Sequence, residues 1–252
     1  MLLERGADPN ASCDTFGRVI NAAVDSGNCD AVRVLVEKDV SLEGEDSEEE
    51  EEEDGDEEEE NKQPGDEAED DNEDEDDDNE DDDNDDEDDE EEFIRSPLAL
   101  AALRSDLTMF EFLIKNYSEK LPPKEFNKAL VKAAESGRLE AFNHLFDSYE
   151  HPQETFQRAL EGAAYEEKWD ILAILLEKRP GLNCDQPFLN AAEGDDGDQA
   201  IRSIEAMWEY TNGSISAEQL DKSLYQATDF QNEKTVQLLL RFGASPDATG
   251  EV

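Results

Sequence analysis

The sequence predicts an all-α chain, a helical repeat solenoid carrying one long disordered acidic insert. Three observations point there. A two-helix signal recurs along the chain, its apolar residues fall at helical spacing, and one stretch is dominated by Asp and Glu.

The recurring unit is a short helix ending in small residues, a polar turn, then a more apolar helix. It reads VINAAVDSGNCDAVRVLV at 19–36, SPLALAALRSDLTMFEFLI at 96–114, ALVKAAESGRLEAFNHLF at 129–146 and ALEGAAYEEKWDILAILL at 159–176. Weaker copies are PFLNAAEGDDGDQAIRSI at 187–204 and SLYQATDFQNEKTVQLLL at 223–240. The residues just before the turn align as Val24, Ala102, Ala134, Ala164, Ala192 and Thr228. The first step is 78 residues and the later ones 28 to 36, and the acidic stretch falls inside the long step. The small pairs Ala101-Ala102, Ala133-Ala134 and Ala163-Ala164 let neighbouring backbones approach. Ile171, Leu172, Leu175 and Leu176 show the apolar face of a second helix. Ser96-Pro97 is a helix start, with a capping hydroxyl followed by a ring suited to the first helical position. A lone pair of this kind cannot bury its apolar face, so neighbours must stack.

Charge is concentrated. From Glu43 to Glu92, 38 of 50 residues are acidic and Lys62 is the only base, within a chain of net charge −51. Sequence-independent nucleic-acid binding needs Lys and Arg to displace counterions, and no contiguous basic run exceeds Lys178-Arg179, so nucleic acid is not an expected partner. The apolar runs are too short to span a bilayer, and MLLERGADPN has no secretory pattern, so no membrane partner is expected. Cys13, Cys29 and Cys184 are odd in number, far apart and without CxxC spacing, which favours reduced thiols and a cytoplasmic or nuclear location.

At these residues the chain resembles the ankyrin repeat family, whose pattern is roughly TPLHLAAxxGHxEIVxLLLxxGADVNA. SPLALAALRSDLTMFEFLI follows it without a gap, and LLERGADPNA (2–11) and LLLRFGASPDA (238–248) match its closing half. Gly6 and Gly243 then fall where a helix ends in a left-handed turn. A TPR array is disfavoured by these endings. The mixture of good and degraded copies is similar to the long divergent ankyrin arrays of fungal proteins. The resemblance implies three regions: a partial plus first full repeat at 1–42, the insert at 43–92, and about five further repeats at 93–252. The middle repeats lack the Gly-Ala-Asp turn, so short loops and longer first helices are expected there. The chain begins within a second helix and stops where a turn would begin, the expectation being a fragment of a longer protein.

By this alignment the insert lies in one hairpin finger, between Val40-Ser41-Leu42 and Ser96-Pro97. Low hydrophobicity and like-charge repulsion predict disorder. Three readings of it stay open: a solvated expansion, an arm attracting basic partners, or a diffuse cation binder. Ser47, followed by three glutamates, is a candidate phosphorylation site.

No catalytic, cofactor-binding or metal residues are assigned, and no cofactor is expected. His144 lies between Phe142 and Phe146 as a structural or surface residue. His151 has no obvious partner, and Trp169 and Trp208 suit core packing. The resemblance implies partner binding through the two residues after each small pair. These give Asp25, Leu103, Arg104, Glu135, Tyr165, Glu166, Glu193, Asp229 and Phe230 as candidates, acidic except for Arg104 and the apolar or aromatic anchors Leu103, Tyr165 and Phe230. The expected function is a monomeric, non-enzymatic protein-interaction scaffold whose acidic face and arm favour a basic partner segment. The alternative is a regulatory array of a larger signalling protein whose effector domain lies outside this chain.

Overall fold

A computed structural model describes residues 6–13, 17–43, 96–194 and 197–247. The predicted insert, apart from Glu43, lies outside the described residues, and so does Ser47. The described chain is helical except for one antiparallel pairing of Ser12–Cys13 (β1) with Gly17–Arg18 (β2).

The helices come in pairs. They are α1 (Val19–Asp25) with α2 (Cys29–Val36), α3 (Pro97–Leu103) with α4 (Thr108–Tyr117), and α5 (Pro123–Glu135) with α6 (Leu139–Ser148). Then follow α7 (Gln153–Tyr165) with α8 (Trp169–Lys178), α9 (Asp185–Glu193) with α10 (Asp198–Tyr210), and α11 (Ala217–Asp229) with α12 (Glu233–Phe242). First helices pack in a row, α1 on α3, α3 on α5, and so on to α11, while α6, α8, α10 and α12 pack successively beside them. This is a helical repeat array.

The spacing of small and large residues explains the row. In α5 the buried face is Phe126, Ala129, Leu130, Ala133 and Ala134; in α7 it is Phe156, Ala159, Leu160, Ala163 and Ala164. Each large residue fills the space between helices, and each alanine lets the next backbone close in. Burying each Phe or Leu contributes about 1.5–3 kcal/mol. Second helices supply the other wall, with Phe142, Leu145 and Phe146 in α6 and Ile171, Leu172, Leu175 and Leu176 in α8. Trp169 packs half-buried against this core, and Trp208 stacks on Phe242 at 4.3 Å between centroids.

Helix starts follow local chemistry. Asn28, Ser96 and Ser216 each accept from a backbone N–H three residues on. Where the Gly-Ala-Asp turn is missing, α5, α7 and α11 are 13 residues long, against 7 in α1 and α3. The longer first helices expected there are present in α5, α7 and α11, while α9, which also follows a connector without that turn, has 9 residues.

The turn inside four of the pairs has a fixed register. Three residues past the aligned small residue, Gly27, Gly137, Glu167 and Gln231 all have left-handed backbone, with φ of 71°, 66°, 56° and 61°. Glycine serves Gly137 twice over, because an added Cβ would also lie 3.0 Å from the Lys168 side chain. Glu167 and Gln231 carry a Cβ there at a cost of roughly 1–2 kcal/mol each. The α3–α4 turn departs from this pattern: Arg104 is extended, and Asp106 accepts from the backbone and hydroxyl of Thr108.

A second register fixes the connectors between pairs. Seven residues before the aligned small residue, a polar side chain reaches forward to the loop that follows its own pair. Asn127 meets His151 Nδ1 at 2.7 Å. Gln157 Nε2 donates to the Asn183 carbonyl while its Oε1 accepts from Asn183 N–H, both at 2.9 Å. Asp221 accepts from Ser245 N–H at 2.6 Å.

His151 therefore has partners, contrary to the sequence reading. Its Nε2 lies 3.2 Å from the Leu145 carbonyl and its ring meets Phe156 edge-on. Both neighbours, the Asn127 amide oxygen and the Leu145 carbonyl, are acceptors, so the neutral ring donates to one of them at a time. The partners escaped notice because Asn127 lies in the preceding pair. His144 is exposed, its ring edge-on to Phe110.

Candidate functional site: the groove along the first helices

Three concave regions run end to end along the row of first helices. The first, about 230 Å³, is walled by Lys124, Asn127, Lys128 and Val131 of α5 and by Glu154, Thr155 and Arg158 of α7. Its charged lining is three bases to one acid. The second, about 490 Å³, shares Val131 and Arg158 with the first and is lined by Lys132, Glu135, Glu161, Tyr165, Glu166 and Lys168. Here bases and acids balance, three each. The third, about 370 Å³, shares Tyr165, Glu166 and Asn190 with the second and adds Glu167, Glu193 and Phe230. Its lining has three acids and no base.

The local geometry explains the charge pattern. Lys124, Lys128 and Lys132 recur every four residues, so they share one face of α5. Lys132 is 3.1 Å from Glu135, and Lys168 is 3.5 Å from Glu166. The Glu135 side chain lies across Gly162, where a Cβ would come within 2.4 Å of its Cγ. Glu193 has no ion-pair partner among the described residues, and burial pushes its carboxyl above the ordinary Glu range. Tyr165 is 62 % exposed and Phe230 56 %, so each shows water an aromatic surface on the rim of the third region.

Of the nine candidate residues, five come together here: Glu135, Tyr165, Glu166, Glu193 and Phe230. Asp25, Leu103 and Arg104 lie further along the row, around α1 and α3, and Asp229 is exposed on the last residue of α11 without lining these regions. Arg104 is engaged internally. Its guanidinium donates to the Asp25 carbonyl at the end of α1 and stands over Gly27, where a Cβ would be 3.0 Å away. The face is also not uniformly acidic, because Lys132, Arg158 and Lys168 stand among its carboxylates. The α5 lysines form no contiguous basic run, and only their four-residue spacing marks the stripe in the sequence.

Among the described residues no group of three or more His, Cys, Asp and Glu is placed to hold a metal ion. Among the same residues no helix is long and apolar enough to cross a membrane. Neither the known protein-family models nor the curated proteins provide a match to this chain.

Proposed function

We propose that this chain is an ankyrin-type interaction scaffold that holds an extended, basic segment of another protein along the first-helix groove. The ankyrin reading is supported by the stacked pairs, the alanine register and the left-handed turn that recurs at one aligned position. The observation that carries the binding role is the third region. Two exposed aromatic rings border three carboxylates, of which Glu166 is paired with Lys168 and Glu193 has no ion-pair partner among the described residues, which suits an Arg or Lys side chain of the partner. We place this activity in the cytoplasm or nucleus, with the scaffold acting as a monomer and without catalysis.

The test is surface-binding kinetics with an Arg-rich peptide on the full chain. Tyr165→Ala and Phe230→Ala should each weaken binding about 30-fold, the scale of a central interface residue, mostly through faster release. Tyr225→Ala, another exposed ring but outside these regions, should leave binding unchanged. Glu193→Lys, which reverses a carboxylate with no ion-pair partner among the described residues, should accelerate release more than Glu135→Lys, whose carboxylate Lys132 already answers. Equal effects at Tyr165, Phe230 and Tyr225 would refute the assignment.

A further inference from the structure

The third region is built by three successive first helices. α7 ends in Tyr165-Glu166 and α11 runs into Asp229-Phe230, whereas α9 ends in Glu193-Gly194, an acid followed by no side chain. Because α9 packs between α7 and α11, its carboxylate comes between the two helices that carry the rings. Buried Asn232 fixes this arrangement. Its Nδ2 donates to the Ala192 carbonyl at 3.1 Å and to the Gly194 carbonyl at 2.5 Å, fastening the turn that carries Phe230 to the end of the helix that carries Glu193. Of the three carboxylates, Glu166 is paired with Lys168 and Glu167 is engaged within the fold, its Oε1 lying 2.6 Å from where a Cβ on Gly194 would be. Glu193 has no ion-pair partner among the described residues.

Resting on the binding role proposed above, we infer that this region selects arginine over lysine: one guanidinium pairs with Glu193 and lies against the Tyr165 and Phe230 rings, and methylation of that arginine loosens the hold. Exposure selects the cation. Both rings are more than half exposed, so a group bound there stays partly wet. A lysine ammonium is a compact, strongly hydrated charge with little to gain in such a place. A guanidinium is planar and weakly hydrated, so it can stack on a ring while its edge donates two hydrogen bonds to one carboxylate. Size agrees. The cavity of about 370 Å³ sits near the lower end of ligand pockets, about 300–1,000 Å³, and suits one long side chain rather than a helix. Burial holds the Glu193 carboxyl above the ordinary Glu range, a penalty that an arriving cation relieves. Methylation keeps the charge of an arginine but blocks its paired donation, so it acts on this contact and not on attraction to the chain as a whole.

The experiment measures binding of the full chain to lysine-rich peptides that differ only at one central position, which holds Arg, Lys or symmetric dimethylarginine. All three carry the same charge, so general attraction to the acidic chain cancels in the ratios. The Arg peptide should bind about 30-fold more tightly than the Lys peptide, the scale of a central interface residue, and dimethylarginine should lose most of that gain. Tyr165→Ala, Phe230→Ala and Glu193→Gln should each bring the Arg-to-Lys ratio close to one while leaving the Lys peptide nearly unaffected. Tyr225→Ala should keep the full ratio. Equal binding of the Arg and Lys peptides, dimethylarginine binding as tightly as Arg, or a preference that survives Tyr165→Ala and Glu193→Gln would each overturn the inference and leave the basic-segment reading standing. Failure of every basic peptide to bind would overturn both.

Discussion

Ser96→Ala tests whether the start of α3 is built as described. The Ser96 hydroxyl performs two tasks while fully buried: it accepts from the Ala99 N–H as the cap of α3 and donates to Glu125, itself fully buried. Losing the cap costs about 1 kcal/mol. Leaving the Glu125 carboxyl one partner short in a site closed to water costs about 1–3 kcal/mol more. The expected loss is therefore about 2–4 kcal/mol, a large share of the roughly 5–15 kcal/mol that holds a domain together. Urea unfolding followed by circular dichroism should show the midpoint falling by about 1–2 M, for a slope near 2 kcal/mol per M. Glu125→Gln keeps an acceptor oxygen for the same hydroxyl and should lose much less. A Ser96→Ala protein within about 0.5 kcal/mol of the parent would show that this buried pair contributes nothing, and the reasoning would fail.

His151 and Cys184 give two further expectations. Burial, aided by nearby Arg179 and opposed by the Leu145 carbonyl, holds the His151 pKa below its ordinary value. The unfolded chain therefore binds the proton more readily, so this contribution is complete above about pH 6.5 and lost as pH falls through that range. His151→Asn should shrink the difference between unfolding midpoints at pH 7.5 and 5.5; an unchanged difference would remove His151 as the cause. Cys184 is buried, and burial with the adjacent Asp185 charge pushes its thiol up to about 11. Iodoacetamide at pH 8 should modify half-buried Cys29 in the folded protein and reach Cys184 only on unfolding. Equal labelling rates would contradict the described burial.

Helix pairing was legible in the sequence because it is written in local spacing. Phe126 to Ala134 and Phe156 to Ala164 repeat one arrangement of large and small residues, and Ser96-Pro97 states a helix start in two letters. The lengthening of α5, α7 and α11 could be read from the absence of a turn motif. Relations between pairs were less visible. His151 and Asn127 are 24 residues apart, and Arg104 reaches back 79 residues to the Asp25 carbonyl. Alignment placed Glu135 and Glu166 on the groove, but their meaning changed once Lys132 and Lys168 stood beside them. Counting acids at aligned positions misses a nearby base, and that is why an acidic face with Arg104 as its one base was expected where the charge instead changes along the row.

The forward-reaching side chains Asn127, Gln157 and Asp221 give the array a sense of direction during synthesis. Each precedes the connector it secures, by 24, 26 and 24 residues. A chain made from its N-terminus therefore presents the fastener before the strap arrives. Each new helix pair can be received on a finished one without waiting for its successor. Damage should spread the same way: losing Gln157 would loosen the connector that leads into α9 and leave the α5–α6 pair undisturbed.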